Sequence, residues 1–300
     1  MTKTDNLNIL FIINPGAGSS TIDWAVEIAN YFMASDHIIQ LYHLPDRCNV
    51  ETIKEKIRLF APHQVIAVGG DGTVKLVAEC LINTNIILGI LPAGSANGLA
   101  RELGISDNPQ EAINMLVEGY TKKIHITMVN NHLCIHLSDI GLNAYAMKRF
   151  KHQNRRGMLG YFFASLNVLW QNPTLQVDMK MGNKIIEINA AMIVIANGTK
   201  YGTGAVINPI GQLDDDVFEV IAIKKISLSE MFKMVFSHAT YDPDKTEIFQ
   251  TNQLSMKSLK KVHFQVDGEY LGKVKEVNAV LIPNALQIIV PQTPSVFSYF

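Results

Sequence analysis

Residues 65–73 read VIAVGGDGT: an apolar strand runs directly into Gly69-Gly70-Asp71-Gly72-Thr73. Three glycines around one carboxylate let backbone N–H groups approach a polyphosphate without side-chain hindrance, and the Asp is suited to orient a metal or its waters. An apolar-periodic stretch follows (Val74, Val77, Ala78, Leu81). The loop is therefore expected at the carboxyl end of a strand and the start of a helix, where open α/β sheets bind anions. A tight turn with no ligand is the plainer reading of one such loop, so the surrounding chain has to decide.

Two further loops carry the same chemistry. Residues 7–13 predict a buried strand followed by Asn14-Pro15-Gly16-Ala17-Gly18-Ser19-Ser20, and 86–91 predict another followed by Pro92-Ala93-Gly94-Ser95-Ala96-Asn97-Gly98. Each loop precedes a helical pattern, so the first ~120 residues alternate strand and helix as in a parallel sheet. All three loops should share one sheet edge and surround a nucleotide triphosphate with N–H groups, the hydroxyls of Ser19, Thr73 and Ser95, and the Asn97 amide. The spacing is neither a Walker A loop nor a dinucleotide fingerprint.

After about Thr121 the period shortens. Alternating runs at 123–128 and 133–137 flank Asn130-Asn131, and runs at 175–181 and 184–197 flank Gly182-Asn183; both read as hairpins. Further strands are expected at 217–223, 262–266 and 276–290, with helices at 157–170 and 227–238, the latter opening on a Ser227/Glu230 capping box. The expected fold is an α/β nucleotide-binding domain over 1–124, then a β-rich, sandwich-like domain over 125–291. A tail, 292–300, is expected to pack back on the first domain.

Bulk composition narrows the function. Apolar residues make up 48% and charged residues 18%, with net charge −1, so nothing draws the whole chain toward nucleic acid. Three cysteines without CxxC spacing predict neither a disulfide framework nor a zinc site, and the N-terminus lacks a signal-peptide layout. His132 and His136 have no further ligand partner and read as core or surface residues. A cytoplasmic protein in transient contact with membrane is the expectation.

NPGAG at 14–18, GGDGT at 69–73 and LPAGSANGLAREL at 91–103 together resemble the diacylglycerol kinase catalytic-domain superfamily, which includes bacterial soluble lipid kinases and the sphingosine and ceramide kinases. The resemblance continues through SDIGLNA (138–144), RRGMLGY (155–161), ANGTKYGTG (197–204), LDDD (213–216) and VDGEYL (266–271). It implies phosphorylation of a lipid hydroxyl, with ATP held in the first domain by Asn14, Pro15, Gly16, Gly69, Gly70, Asp71, Gly72, Thr73, Ser95 and Asn97. The lipid is implied to enter between the domains. Asp267 matches the general base, taking the hydroxyl proton while Mg²⁺ offsets phosphate charge. Asp71 and Glu269 match an acidic network around that magnesium, and Asp215 matches an Asp of a second metal site. Without the resemblance, Asp267-Gly268 is also a common hairpin turn.

Several positions depart from the family pattern. Gly98 stands where many bacterial members carry Asp, as does His125; Lys75-Leu76 replaces Asn-Glu, and Asp216 replaces Gly. The departures motivate one alternative, a catalytically impaired lipid-binding or regulatory protein; an NAD-kinase-like enzyme is the other. Lys148, Arg149, Lys151, Arg155 and Arg156 precede an apolar stretch at 158–170, which reads either as an anionic-lipid dock or as a buried helix with a solvated cap. The expected partner is a lipid substrate at the membrane surface, and the reading allows a homodimer.

Overall fold

The computed structural model describes residues 6–18, 22–46, 48–141, 144–145, 174–201, 205–225, 227, 230, 233 and 241–293. The chain divides into two compact units, Met1–Ile124 with Asn284–Phe300, and His125–Pro283. The expected basic cluster at 148–156, the apolar stretch at 158–170, Ser19 and most of the 227–238 helix lie outside the described residues, as does the tail from 294.

The first unit is an α/β layer structure. Its strands are β1 (Asn8–Ile13), β2 (Ile38–His43), β3 (Gln64–Gly69) and β4 (Ile87–Pro92), all parallel, in spatial order β4-β3-β1-β2. β3 is buried along its whole length and β1 at every residue but the first, because helices cover both sheet faces and the strands must be continuous apolar runs. β2 lies at the sheet edge, and its burial alternates instead.

The helices are α1 (Trp24–Phe32), α2 (Val50–Phe60), α3 (Asp71–Leu81), α4 (Gly98–Glu102) and α5 (Pro109–Glu118). Side chains cap three of them. Asp23 accepts from the N–H groups of Ala25 and Val26, Asn49 from Thr52, and Asn108 from Gln110 and Glu111, with Pro109 in the first turn. α2 stops at Ala61 in a left-handed conformation, directly before Pro62.

The second unit is β-rich. It contains β5 (Tyr120–Val129), β6 (His132–Cys134), β7 (Leu137–Gly141), β8 (Leu175–Met181), β9 (Lys184–Ala190), β10 (Met192–Ala196), β11 (Lys200–Tyr201), β12 (Ala205–Val206), β13 (Phe218–Ile223), β14 (Thr246–Thr251), β15 (Gln253–Val266) and β16 (Glu269–Val290). β5 begins, and β16 ends, in residues of the first unit. Asn130 and Asn131 both take positive φ, 46° and 65°, which a two-residue hairpin turn of this hand requires. Inward-facing Val177, Met179, Phe218, Val220, Leu254, Met256 and Phe264 form the main core. Each contributes roughly 1.5–3 kcal/mol by leaving water.

Three expectations need correction. The run at 184–197 is two strands, not one: β9 alternates and pairs only with β8, whereas β10 is buried throughout and lies between β7 and β13. The change from alternation to a continuous apolar run marks the break at Ala191, whose N–H donates to Ile223. β14 was not expected, because TEIFQT at 246–251 carries little apolar periodicity. The second unit also closes at Pro283 rather than 291. Beyond it, Gln287 and Ile288 pair in parallel with Ile87 and Leu88 of β4.

Candidate active site

In the first unit, the three small-residue loops leave the carboxyl ends of β1, β3 and β4. They are cross-braced. Asn14 Oδ1 accepts from the Gly16 N–H at 3.0 Å, and its Nδ2 donates to Thr73 Oγ1 at 2.9 Å, tying the first loop to the second. The Asp71 carboxylate accepts from the N–H groups of Gly98 (3.0 Å) and Leu99 (3.1 Å), tying the second loop to the third. Asn97, itself left-handed, accepts from the Gly94 N–H at 2.8 Å.

Close backbone approach explains two of the glycines. A Cβ on Gly94 would lie 2.4 Å from Gly70 Cα, and one on Gly18 (φ +65°) would lie 2.4 Å from the Ala93 carbonyl oxygen. No side chain fits where these loops touch.

These contacts refine what the loop residues do. Thr73 and Asn97 are buried and spend polar atoms on other loop residues, so they shape the loops. Pro15, Gly16, Gly72 and Ser95 are exposed on them. Asp71 holds the backbone at residues 98–99 in a chain where residue 98 has no carboxylate of its own.

In the second unit, Asp267 and Gly268 form the turn between β15 and β16, both with positive φ. The Asp267 carboxylate folds back over residues 134–137. Oδ1 accepts from the N–H groups of His136 (3.0 Å) and Leu137 (3.2 Å), with Cys134 Sγ at 3.8 Å; Oδ2 accepts from Ile135 N–H at 3.1 Å. The Asp267 N–H in turn donates to the Leu137 carbonyl at 2.8 Å. A second layer steadies the turn. Gln265 Oε1 accepts from Gly268 N–H at 2.7 Å, its Nε2 donates to buried Asp139, and Ser138 Oγ donates to the Gln265 carbonyl.

Sequence reading did not assign Gln265, Asp139 or the 135–137 backbone to the site. SDIG at 138–141 stands out as a motif, but its partner is 126 residues away in sequence and only the β7–β15 pairing joins them.

The remaining acidic residues are separate. Glu269 is exposed and sits opposite Val266 immediately after the turn. Asp215 is half-buried; burial pushes its carboxyl above the ordinary value, against the N–H of Val217, and its Oδ1 has no hydrogen-bond partner. Buried His125 faces exposed Asp216 at 3.8 Å, and its carbonyl accepts from Asn197 Nδ2. Among the described residues, no three His, Cys, Asp or Glu side chains group to hold an ion.

Residues 8–129 match the diacylglycerol kinase catalytic domain, and residues 138–290 match the YegS C-terminal NAD kinase beta sandwich-like domain. The chain belongs to the diacylglycerol kinase family of lipid kinases. Similar family members include a diacylglycerol kinase of Mycobacterium tuberculosis, 25% identical over 76% of this chain and 77% of that one. A diacylglycerol kinase of Bacillus subtilis is 24% identical over 69% and 71%.

Among solved structures, a putative diacylglycerol kinase from Bacillus anthracis superposes with TM-score 0.80 at 19% identity, covering 97% of this chain and 99% of that one. An NAD kinase from Archaeoglobus fulgidus in complex with ATP gives 0.56 at 10% identity over 95% and 94%. Both share the fold: an α/β domain followed by a β-rich domain. No helix among the described residues is long and apolar enough to cross a membrane.

Proposed function

We propose that this lipid kinase transfers the γ-phosphoryl group of ATP to the hydroxyl of a membrane lipid, diacylglycerol before a sphingoid base or a prenol. The observation that carries the reading is the Asp267 carboxylate, fixed by three backbone N–H groups on a braced turn. A base held this rigidly meets an alcohol at low entropic cost. Relatives named diacylglycerol kinase support the choice of lipid.

The first unit's part is binding. Loops free of bulky side chains at the ends of three parallel strands, the second opening directly into α3, fit a triphosphate, because such strand ends and helix starts favour anions. Bound Mg²⁺ supplies charge neutralisation on the transferring phosphate. Within the second unit, Asp215 would be the residue to hold such a cation, because it offers an unpartnered carboxylate oxygen. Asp267 accepts the proton of the lipid hydroxyl as its oxygen bonds to the γ-phosphorus and the bond from that phosphorus to the β–γ bridging oxygen breaks, releasing ADP.

Incubation with γ-labelled ATP, Mg²⁺ and dispersed lipids tests the reading. Label should enter diacylglycerol most rapidly, and chelating the metal should abolish it. Label in NAD instead, or in no acceptor while ATP still binds, overturns it in favour of an NAD-kinase-like or a regulatory role.

The metal assignment has its own check. Mg²⁺ should raise the melting temperature of the wild type, and Asp215→Asn should lose most of that rise while keeping its metal-free melting temperature. An identical rise in both proteins removes Asp215 from the metal site.

A further inference from the structure

β15 carries a surplus of chain midway along its length. Lys257 pairs with Glu276 and Val262 with Val274, so residues 258–261 on β15 stand opposite Lys275 alone on β16. Four residues against one must bulge out of the ladder. Ser258 stays in the sheet, buried and paired with Val177 of β8, and its hydroxyl donates to the Lys260 carbonyl at 2.7 Å, closing the loop at its base. Leu259 is left at the apex, 67% exposed.

Lys260 and Lys261 follow it, exposed, and Lys275 and Lys273 are exposed on the facing strand. Lys257 is answered by Glu276 at 3.2 Å. Among the described residues, the other four lysines have no ion-pair partner. A net charge of −1 makes this concentration of positive charge a local feature of the surface.

We propose that this bulge docks the second unit onto an anionic lipid bilayer. Leu259 enters the boundary between headgroups and acyl chains, while Lys260, Lys261, Lys273 and Lys275 meet lipid phosphates. An apolar apex ringed by lysines matches a surface that is anionic outside and apolar beneath. Nucleic acid is the poorer fit, because no exposed aromatic side chain stands in the cluster to stack on bases.

The same two strands carry Asp267 at their turn, six residues beyond Lys261 and so about 20 Å along β15. A contact at the bulge therefore sets the distance of that turn from the bilayer. This last consequence rests on the proposed lipid-kinase reaction; the docking does not.

Co-sedimentation of the full chain with vesicles, without ATP, tests the docking. The wild type should bind phosphatidylcholine vesicles doped with phosphatidylglycerol, weakly bind pure phosphatidylcholine, and release in high salt. The triple variant Lys260→Gln/Lys261→Gln/Lys275→Gln should lose about a hundredfold in partition, at about fivefold per lysine near the surface. Leu259→Ser should lose about tenfold.

The triple Lys54→Gln/Lys56→Gln/Arg58→Gln on α2, with Lys54 and Arg58 exposed and Lys56 half-buried, removes equal charge and should change binding little. Equal loss in both triples, no loss in the bulge variants, or no wild-type binding to the doped vesicles overturns the docking. Loss of oligonucleotide binding alone, in the bulge triple, reassigns the patch to nucleic acid. None of these outcomes depends on phosphoryl transfer, so a failed dock leaves the kinase reading standing, and a failed kinase assay leaves the dock standing.

Discussion

Asp267→Asn should lower kcat for lipid phosphorylation by about 10²–10⁴-fold while leaving ATP affinity within a few-fold of wild type. The amide keeps one acceptor oxygen, and in the orientation that places it at Oδ1 it still receives the His136 and Leu137 N–H groups. The amide NH₂ then faces the Ile135 N–H, a donor against a donor, at a cost of about 1–3 kcal/mol. The folded protein should therefore survive with a modestly lower melting temperature, and its lost turnover can be read as lost base catalysis.

Asp267→Ala is the contrasting variant. It strips the acceptor from all three N–H groups and should be clearly less stable than the Asn variant. Activity in Asp267→Asn close to that of wild type would mean that the turn serves structure alone and that another group takes the proton.

Gly94→Ala should damage both the stability of the first unit and its nucleotide site. The added methyl would lie 2.4 Å from Gly70 Cα and 2.8 Å from Asn97 Oδ1, with the Gly70 nitrogen at 3.1 Å. Two of those atoms are backbone, and Asn97 Oδ1 is already bonded to the Gly94 N–H. Nothing nearby is the loose end of a flexible side chain. The second and third loops must separate, at about 1–3 kcal/mol for overpacking.

The separation also pulls residues 98–99 away from Asp71, since their N–H groups bond its carboxylate. ATP affinity should fall at least tenfold by calorimetry, along with the melting temperature. ATP affinity in the Gly94 variant equal to that of wild type would separate the nucleotide site from the contact between these two loops.

Local chemistry makes much of this molecule legible from its residues. A βα repeat with glycine-rich loops after its strands specifies a parallel sheet with an anion-binding edge, because strand burial and loop composition are written in contiguous residues. The Asn130-Asn131 hairpin and the caps at Asn49 and Asn108 follow from the same short-range rules. So does the position of Asp267 in a turn.

What surrounds Asp267 follows no such rule. Its acceptor role toward residues 135–137 spans about 130 positions, and the Gln265–Asp139 brace spans 126. Strand pairing creates both, and pairing partners leave no mark on either segment alone. Asp71 shows the same limit at shorter range: GGDGT identifies a loop carboxylate, but its partners are fixed by how β3 and β4 lie side by side. Residue types and their spacing thus determine which groups can do chemistry. Tertiary packing decides which donors and acceptors hold them, because a hydrogen bond answers to distance in space and not to distance along the chain.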